Sequence, residues 1–360
     1  MKAVIYISSL SRGGAERVVT TLAAQLKKEC GITVLTDTVN ASEYEESDFE
    51  RANLNYVVYP DVVRRMLHKF LYLKKLKKEV KRLSPDVVIS FSIESGMRMK
   101  QALGKSSVKQ IISVRSNPTV DYTTAKEKES IIKKLSDTDG FVFQTKDQRD
   151  FFGKEIAERS TIILNPIAPE FMEEHLRDKI EKRVVTAGRL TKSKDHPMLL
   201  RAYDLAAEEL PDYEFVIYGD GQLRSEMEKL HATLQHKDRI ILYGECENVR
   251  EKIKNASVFV MSSKNEGLPN ALMEAMALGL PVVSTDCPCG GPALLIENDK
   301  NGKLTPVGDE KAMAKAITEL CKNRQKAEEL GKEAGKIKER CNDKRIAKQW
   351  MGYLEQVVNR

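Results

Sequence analysis

Two basic residues in the second half of the chain, Arg189 and Lys194, have a position and spacing that suit phosphate binding. They follow the apolar run Val184–Ala187 and Gly188, and a helical pattern begins after them. Two cations at the end of a strand can grip a diphosphate through charge-assisted hydrogen bonds. A solvated surface loop is the alternative interpretation. His196, at the start of the helical pattern, is interpreted as a helix-start residue rather than a base.

A second segment carries two glutamates in an E-x7-E spacing, Glu266 and Glu274. Pro269 suits the first turn of a helix that Gly279 ends, so free backbone N–H groups at its start can donate to sugar hydroxyls or phosphate oxygens without a metal. Being eight residues apart, the two carboxylates can address two parts of one elongated ligand. A capping acid and a solvated acid are the alternatives for each glutamate alone. The other donor-binding candidates of this segment are Gly267, Leu268, Pro269 and Asn270.

A glycine pair, Gly13 and Gly14, separates the first apolar run from the first helical pattern. Paired glycines at a helix start let backbone N–H groups approach an anion, and the helix dipole adds a favourable potential. A plain tight turn is the alternative. The pair is not part of a G-x-G-x-x-G pattern, and only a loosely placed Asp37 follows the second run, so a nicotinamide cofactor is disfavoured.

The elements that must position these residues alternate between short apolar runs and amphipathic helical patterns. A length of 360 residues favours two domains, and strands that are apolar on both faces indicate parallel sheets covered by helices. Ligands then bind at the carboxyl ends of the strands. We predict domains over 1–165 and 166–342, with a helix over 343–360 packing back towards the first domain. The predicted strands are Ala3–Ile7, Ile32–Thr36, Tyr56–Tyr59, Asp86–Phe91, Gln110–Val114 and Phe141–Gln144, then Val184–Ala187, Phe215–Tyr218, Ile240–Tyr243, Val258–Met261 and Val282–Ser284.

Together these segments resemble the retaining glycosyltransferases of family 4, and the resemblance covers nearly the whole chain. It implies the GT-B fold, in which two Rossmann-like β/α/β domains face each other across a cleft. It also implies catalytic roles for Arg189 and Lys194 on the donor diphosphate and for Glu266 on the transferred sugar. Glu274 would bind the nucleotide ribose, and Gly13 and Gly14 would close over the donor. The resemblance makes 1–165 the acceptor-binding domain and 166–342 the nucleotide-sugar-binding domain. The resemblance makes Gly188, in the loop of Arg189, a further donor-binding residue. It places the nucleotide base near the donor-binding residues Cys246, Asn248 and Val249.

Two positions depart from the family pattern. Many members have His-Asp near the acceptor where this chain has Arg115-Ser116-Asn117. A cation there suits an acceptor that carries phosphate, with Arg115 and Asn117 on the acceptor side, although Arg115 could equally be a structural ion-pair partner. Where family members usually have glycine after the phosphate-binding lysine, this chain has Asp195. This change leaves the role of Lys194 intact.

No cofactor and no metal are expected. Asp137-Thr138-Asp139 matches the metal-binding Asp-x-Asp pattern but precedes a predicted strand, at the wrong end for the cleft, and is interpreted as a turn. Cys287 and Cys289 have no histidine nearby that would complete a zinc site. The six cysteines are too sparse for a disulfide framework. Retention is implied by the family, and we expect front-face attack in which the acceptor hydroxyl gives its proton to the departing phosphate.

The net charge of +6 is concentrated in one segment. Residues 62–82 hold nine Lys and Arg against one acid, which leaves 50 bases and 52 acids in the rest of the chain. The apolar residues recur at three and four positions, so the segment predicts a basic amphipathic helix, a type that lies on anionic membranes. The predicted apolar stripe is Val63, Met66, Leu67, Phe70, Leu73, Leu76, Val80 and Leu83. The predicted membrane contacts are Arg64, Arg65, Lys69, Lys74, Lys75, Lys77 and Lys78.

Packing of this helix on the first sheet is the alternative to membrane contact, and some of the stripe must pack there. Nucleic-acid binding is disfavoured because no recognition motif accompanies the helix. The longest uninterrupted apolar run is five residues, far short of the roughly 20 needed to span a bilayer. We therefore expect a cytoplasmic enzyme that is peripheral on the inner face of the cell membrane.

The expected reaction moves a hexose or N-acetylhexosamine from a nucleotide sugar to a lipid-linked saccharide, in the synthesis of a cell-surface polysaccharide or glycolipid. A UDP-sugar is favoured as the donor. The alternatives are a GDP-mannose-dependent mannosyltransferase, or a nucleotide-sugar epimerase or binding protein of the same fold. The epimerase is disfavoured because no acid/base pair stands out, and a mere binding protein would be expected to lose one of the four charged residues Arg189, Lys194, Glu266 and Glu274.

Overall fold

The computed structural model divides the chain into two compact units. It describes residues 1–11, 13–39, 49–56, 62–174, 177 and 179–360, with the side chains of the helix that begins at Val62 described from Lys69 onward. The first unit comprises Met1–Ala168 together with Asn342–Arg360, and the second comprises Pro169–Cys341. The chain therefore leaves the first unit three residues after the predicted boundary and returns to it for its last 19 residues.

The first unit is built on a seven-stranded parallel sheet with the strand order β3-β2-β1-β4-β5-β6-β7. Ala3, Ile5 and Ile7 contribute to the core on one face of the first strand, and Val4 and Tyr6 to the core on the other. This alternation is why the strands read as continuous apolar runs. The strands are β1 Lys2–Ile7, β2 Gly31–Thr36, β3 Glu50–Asn53, β4 Val87–Phe91, β5 Lys109–Ser113, β6 Gly140–Phe143 and β7 Ser160–Ile162.

Helices cover both faces of this sheet. Capping side chains define several starts, and in α5 and α6 a threonine and a Glu or Gln three residues later form reciprocal capping boxes. The helices are α1 Gly14–Leu26, α2 Val62–Leu83, α3 Ile93–Leu103, α4 Pro118–Asp121, α5 Ala125–Leu135, α6 Lys146–Phe151 and α7 Lys154–Ala157. A last helix, α17 Asp343–Val358, lies at the end of the chain and belongs to this unit.

The last helix completes the core of the first unit. Trp350 is fully buried and stacks on Phe91 with ring centroids 6.0 Å apart. The Tyr353 hydroxyl accepts a hydrogen bond from the Phe141 backbone N–H at 2.9 Å and donates one to the Arg159 carbonyl at 2.6 Å. Burial on this scale shows that the helix is a structural part of the first unit.

The basic helix α2 packs most of the described part of its predicted apolar stripe on the sheet, with Leu73 and Leu83 half-buried. Tyr72, Leu76 and Val80 are buried against the sheet, whereas Phe70 is 69% exposed and Leu71 55% exposed. Phe70 therefore lies outside the part of the predicted stripe that packs on the sheet. Tyr72 takes the buried place because its hydroxyl finds polar partners beneath the helix. The predicted residues Val63, Arg64, Arg65, Met66 and Leu67 have side chains outside the described part.

The second unit repeats the plan with six parallel strands in the order β10-β9-β8-β11-β12-β13. Its strands are β8 Glu181–Ala187, β9 Glu214–Tyr218, β10 Ile240–Gly244, β11 Ala256–Met261, β12 Val282–Thr285 and β13 Lys303–Thr305. Its helices are α8 Pro169–Met172, α9 His196–Ala207, α10 Arg224–Thr233, α11 Val249–Ile253, α12 Asn270–Ala277, α13 Gly291–Leu295, α14 Glu310–Lys322, α15 Arg324–Gly335 and α16 Ile337–Arg340.

Three short strands have no counterpart in the sequence-based prediction. Strand β3 is polar, and β7 and β13 have three residues each, too few for alternation to show. Most of the predicted strand Tyr56–Tyr59 lies outside the described residues. Among the described residues no helix is long and apolar enough to cross a membrane.

Candidate functional site

Each sheet has one place where the strand order reverses, and the connections leaving the two central strands diverge there. In the second unit this switch point lies between β8 and β11. Parallel α/β sheets bind ligands at such points, outside the carboxyl ends of the strands. The sequence-predicted residues Gly188, Arg189 and Lys194 follow β8, and Glu266 follows β11.

Glycines allow the loops at this switch point to pack backbone against backbone. The Gly188 N–H donates to the Tyr218 carbonyl at 2.9 Å. A Cβ atom at Gly219 would lie 2.0 Å from the Gly188 carbonyl oxygen, and the φ angle of Gly219 is +138°. No other residue type combines this conformation with so close an approach. The loop that carries Arg189 is therefore fixed by backbone contact with Tyr218 and Gly219 at the end of β9.

Lys194 and Glu266 meet across the switch point. The Lys194 Nζ atom donates to Glu266 Oε1 at 2.6 Å, and the Ser263 hydroxyl donates to the same oxygen at 2.6 Å. The side chains of Lys194 and Glu266 are 26% and 13% exposed. The Arg189 side chain is exposed and makes no hydrogen bond or ion pair with the described residues. The structure thus joins two of the three predicted catalytic residues and leaves the third open to solvent.

The backbone of Glu266 is held by the segment that follows β12. Its N–H donates to the Pro288 carbonyl at 2.7 Å, and its own carbonyl accepts from the Cys289 N–H at 3.0 Å. A Cβ atom at Gly291 would come within 2.0 Å of the Gly267 carbonyl oxygen. The segment Asp286–Gly291 therefore positions the E-x7-E loop, a role that the sequence did not reveal because it depends on contact between two distant loops.

The second glutamate, Glu274, lies within helix α12 and is only 6% exposed. Pro269 occupies the N-cap position and the helix begins at Asn270, one residue later than a proline in the first turn would place it. Gly279, with a φ angle of +70°, follows the last turn as predicted. Gly267 and Leu268 are buried, and Asn270 is half-buried.

Asp195 adopts the left-handed conformation, with φ 49° and ψ 42°, that the family glycine would allow. Aspartate is one of the few residues with a side chain that tolerate this region. Its carboxylate is buried and pairs with Lys264 Nζ at 3.1 Å. His196 is the first residue of α9, as predicted, and burial lowers its pKa to about 3. A neutral, buried imidazole suits a helix start and not a base at neutral pH.

Three predicted donor-side residues lie after β10. Cys246 is half-buried, Asn248 occupies the N-cap position of α11, and Val249 is its first residue. Their contact with a nucleotide base stays a prediction.

In the first unit, Gly13 and Gly14 stand at the start of α1. Gly13 is extended, with φ −150°, and a Cβ atom there would lie 2.3 Å from Glu16 Oε2. The Glu16 carboxylate thus folds back over the glycine. Binding of a phosphate at this position requires that carboxylate to turn away.

Arg115 lies at the carboxyl end of β5 among neutral partners. Its Nη1 atom donates to Asn165 Oδ1, and its guanidinium carbon lies 4.5 Å above the Phe91 ring. Burial lowers the pKa of Arg115 to about 9. Within the described part of the chain no carboxylate pairs with it, so the structural ion pair that was the alternative is not formed there.

Asn117 is buried and caps the short helix α4. Its side-chain oxygen accepts from the Thr119 N–H at 3.0 Å and from the Thr119 hydroxyl at 2.8 Å. This local structural role occupies the oxygen, whereas its Nδ2 atom has no hydrogen-bond partner in the residues that the structure describes.

The Asp-x-Asp pattern is a turn before β6. Asp139 accepts from the Gln110 backbone N–H at 2.8 Å and from Lys109 Nζ at 3.2 Å, and Asp137 pairs with Lys100. In the described ranges no group of three or more His, Cys, Asp or Glu side chains is arranged to hold a metal ion. Cys287 is buried, which raises the pKa of its thiol to about 12.

One cluster in the first unit was missed by the sequence analysis. Asp37, at the end of β2, is buried with Tyr6, Tyr72 and Arg98 around its carboxylate. Burial raises the pKa of Asp37, against the hydrogen bonds from the tyrosines and the charge of Arg98. Asp37 was noticed only as a loosely placed acid, and Arg98 gives no signal because it lies in the interior of α3.

Family models match both parts of the chain. The model "Glycosyltransferase Family 4" matches residues 12–171, and the model "Glycosyl transferases group 1" matches residues 168–337.

Two relatives from Campylobacter jejuni are similar over almost their full length. A GalNAc-α-(1->4)-GalNAc-α-(1->3)-diNAcBac-PP-undecaprenol α-1,4-N-acetyl-D-galactosaminyltransferase is 28% identical, over 100% of this chain and 99% of the relative. An N-acetylgalactosamine-N,N'-diacetylbacillosaminyl-diphospho-undecaprenol 4-α-N-acetylgalactosaminyltransferase is 26% identical, over 97% of this chain and 98% of the relative.

Two solved structures share the fold. HepE from Anabaena, in complex with UDP, superposes with a TM-score of 0.82 at 16% identity, over 99% of this chain and 100% of the other. A mutant of TarM from S. aureus, in complex with Fondaparinux, alpha-GlcNAc-glycerol and UDP, gives 0.80 at 15% identity, over 98% and 99%. At these identities the likeness shows the fold alone.

Proposed function

Because the chain belongs to the family 4 glycosyltransferases and has their GT-B fold of two Rossmann-like units, we propose that it transfers a sugar from a UDP-sugar to a lipid-linked saccharide. The transferred sugar is a hexose or an N-acetylhexosamine, and the anomeric configuration is retained. The enzyme acts in polysaccharide or lipid-linked saccharide synthesis, as its Campylobacter relatives do. UDP in the HepE and TarM structures supports the choice of nucleotide.

The observation that carries the proposal is the pairing of Lys194 with Glu266 at the switch point, beside the exposed Arg189. Cleavage of a nucleotide sugar leaves a diphosphate, and stabilising its growing negative charge is the main electrostatic task of the site. Arg189 and Lys194 supply positive charge, and Glu266 supplies acceptors for sugar hydroxyls. No general base pair is needed for this reaction.

The proposed chemistry is a front-face displacement without a metal. The acceptor hydroxyl oxygen bonds to the anomeric carbon while the bond from that carbon to the diphosphate oxygen breaks on the same face. The hydroxyl proton passes to the departing phosphate oxygen, so the products are the glycoside and the nucleoside diphosphate. Turnover that EDTA abolishes and Mn²⁺ restores would contradict this mechanism.

Kinetics of cation variants test the site. We expect Arg189→Ala and Lys194→Ala each to lower kcat by about a hundredfold or more, as removal of a transition-state donor does. Lys192→Ala removes a cation from the same loop and is the matched control, with turnover near that of the wild type. Equal turnover in all three variants would refute the assignment.

Donor identity is tested by thermal shift against UDP-, GDP-, ADP- and TDP-sugars. A donor that binds only the folded state raises the unfolding temperature by mass action. We expect the largest rise with a UDP-sugar. A rise confined to GDP-mannose would instead identify the mannosyltransferase.

We further propose that helix α2 holds the enzyme on the cytoplasmic face of an anionic membrane. Lys69, Lys74, Lys75, Lys77 and Lys78 are exposed, and Phe70 and Leu71 project beside them. A basic face with apolar side chains suits an interfacial helix. Near an anionic surface each lysine contributes about 1 kcal/mol.

Liposome flotation tests the membrane proposal. Changing Lys74, Lys75, Lys77 and Lys78 to Gln is expected to abolish binding to anionic liposomes. The same change at Lys126, Lys128, Lys133 and Lys134 of α5, which are also exposed, removes equal charge and serves as the control. If both quadruple variants float equally well, membrane binding does not depend on α2.

A further inference from the structure

The first unit has its own switch point, between β1 and β4. The connection after β1 begins with Ser8, and the connection after β4 leads into α3, which carries Arg98. The two connections diverge, and the rule that places ligands at such points applies to this sheet as it does to the other. The residues that meet here are therefore candidates for ligand contact.

Arg98 is held at this point by several partners. Its Nη2 atom donates to the Ser8 hydroxyl at 2.9 Å and, more weakly, to the Ser95 hydroxyl at 3.4 Å. Its Nη1 atom lies 3.3 Å from Asp37 Oδ2. The guanidinium is thus fixed from both sides, and little rotamer freedom remains to be lost on ligand binding.

The carboxylate that holds Arg98 is itself fixed. Asp37 Oδ1 accepts from the Tyr6 hydroxyl at 2.9 Å and from the Tyr72 hydroxyl at 2.7 Å. The side chain of Asp37 is 5% exposed, whereas that of Arg98 is 27% exposed. Of this pair, only the arginine reaches solvent, so the pair offers a ligand hydrogen-bond donors and not acceptors.

The local charge decides whether the N–H groups of Arg98 suit phosphate oxygens or neutral hydroxyl oxygens of a ligand. Asp37 neutralises Arg98, and the exposed Glu94 lies 4.0 Å from the same guanidinium, so these three side chains sum to −1. A phosphate would meet net repulsion there, while neutral hydroxyl oxygens would not. Arg115 contrasts with this, because it has no carboxylate partner among the described residues.

We propose that Arg98 binds the saccharide of the acceptor, donating hydrogen bonds to hydroxyl oxygens of its sugar, and thereby contributes to acceptor specificity. The inference rests on the proposed function only in assigning acceptor binding to the first unit. Asp37 is a positioning residue that orients Arg98, and Tyr6 and Tyr72 fix Asp37. Other cations of the first unit bind the phosphate of the acceptor lipid.

Saturation-transfer NMR with free hexoses and N-acetylhexosamines tests this site. The protein carries Glu266→Ala and saturating UDP, so that sugar bound in the donor site does not contribute. We expect Arg98→Ala in this background to weaken sugar binding about tenfold or more, as loss of hydrogen bonds from a charged donor does. Arg98→Lys keeps a positive charge beside Asp37, is expected to fold, and should still weaken sugar binding because the fork of donors is lost.

Arg149→Ala is the matched control, since Arg149 is 32% exposed and pairs with Asp150 in the same unit. Its sugar binding should equal that of the parent protein. The inference is overturned if the parent protein gives no sugar signal, if Arg98→Lys and Arg98→Ala both bind sugar normally, or if inorganic phosphate, tested in parallel, is the ligand whose binding they lose. UDP-sugar thermal shifts of the wild type, measured separately, report whether the proposed donor function fails.

Discussion

Lys194 and Glu266 form an ion pair in the second unit although the proposed function gives each a different part of the donor. The diphosphate must attract Lys194 away from the carboxylate, and the sugar then finds the carboxylate with its acceptor oxygens released. Under the proposed function, donor binding is therefore an exchange of partners at one oxygen atom of Glu266. The Ser263 hydroxyl, which donates to the same oxygen, remains to orient Glu266 after the exchange.

This exchange predicts that Glu266→Gln separates the binding of UDP from that of the UDP-sugar. The neutral amide no longer competes for Lys194, so UDP alone should bind as tightly as to the wild type or a few-fold more tightly. The UDP-sugar should bind about tenfold more weakly, since hydrogen bonds to a charged partner are lost. Titration calorimetry with both ligands measures the two changes.

Ser263→Ala is the control, because it removes a hydrogen bond from Glu266 without removing the charge. Both ligands should bind it within a few-fold of the wild type. Equal weakening of UDP and UDP-sugar in Glu266→Gln would show that Glu266 supports the whole site and does not address the sugar.

Sequence reasoning pointed to candidate donor-side residues and did not point to Arg98, for one physical reason. Arg189, Lys194 and Glu266 each follow a strong apolar strand, and the ends of parallel strands converge. Arg98 lies in the middle of a helix, and its contact with Ser8 and Asp37 depends on how α3 packs beside β1 and β2. No spacing in the sequence encodes that packing.

At the scale of elements, the loop Asp286–Gly291 supports the E-x7-E loop by backbone contact. The close approach of Gly291 to the Gly267 carbonyl leaves no room for a side chain. Because Glu266 is also held by backbone hydrogen bonds to Pro288 and Cys289, the two loops form one rigid piece.

Gly291→Ala is therefore expected to displace the E-x7-E loop and to lower UDP-sugar affinity by about tenfold or more while the fold persists. A Cβ atom 2.0 Å from a carbonyl oxygen must push one loop away from the other. Thermal shift and titration with the UDP-sugar measure the outcome.

Gly352→Ala is the contrasting substitution. A Cβ atom there meets no described atom within 4 Å and lies in the exposed face of α17. We expect it to stabilise the protein by about 0.5–1 kcal/mol through helix propensity, without an effect on donor affinity. Donor affinity that is unchanged in both variants would show that the loop contact does not position Glu266.

The burial of Tyr72 in place of Phe70 shows where the amphipathic periodicity of α2 stops being informative. Phe70 and Tyr72 both occur in the helical pattern, and apolarity alone favours burying Phe70. The buried Asp37 beneath the helix reverses this preference, because Tyr72 can satisfy that carboxylate and Phe70 cannot. The sequence thus predicted the helix and its basic character, while the exposed face depended on a partner 35 residues away.

At the scale of the whole molecule, the first unit is completed by residues from the end of the chain. Trp350 of α17 packs on one side of Phe91, and Arg115 also lies against that ring. The last helix therefore supports Arg115, the predicted acceptor-side arginine, as well as the hydrophobic core. The second unit holds the proposed donor-site residues Arg189, Lys194 and Glu266, whereas α17 is part of the first.

Trp350→Ala should consequently lower the free energy of unfolding of the first unit and leave donor binding by the second unit intact. We expect the first unit to lose about 3–5 kcal/mol, as a large-to-small change in a core does. Donor-induced stabilisation should persist, because under the proposed function UDP contacts the second unit through residues that the substitution leaves in place. Scanning calorimetry with and without UDP measures both effects.

Trp350→Phe keeps an aromatic ring against Phe91 and should recover most of the loss. If Trp350→Ala abolished UDP binding as fully as Lys194→Ala, the donor site would depend on the first unit. The assignment of nucleotide binding to the second unit would then have to be revised.

The place of α17 in the chain also constrains how the protein is made. The ribosome synthesises the whole of Pro169–Cys341 before Trp350, so the part of the first sheet face that α17 covers is exposed until then. That part of the face stays exposed while the 173 residues of the second unit are synthesised. The second unit contains a complete sheet and core of its own. The unit encoded second is thus the one able to fold first during translation.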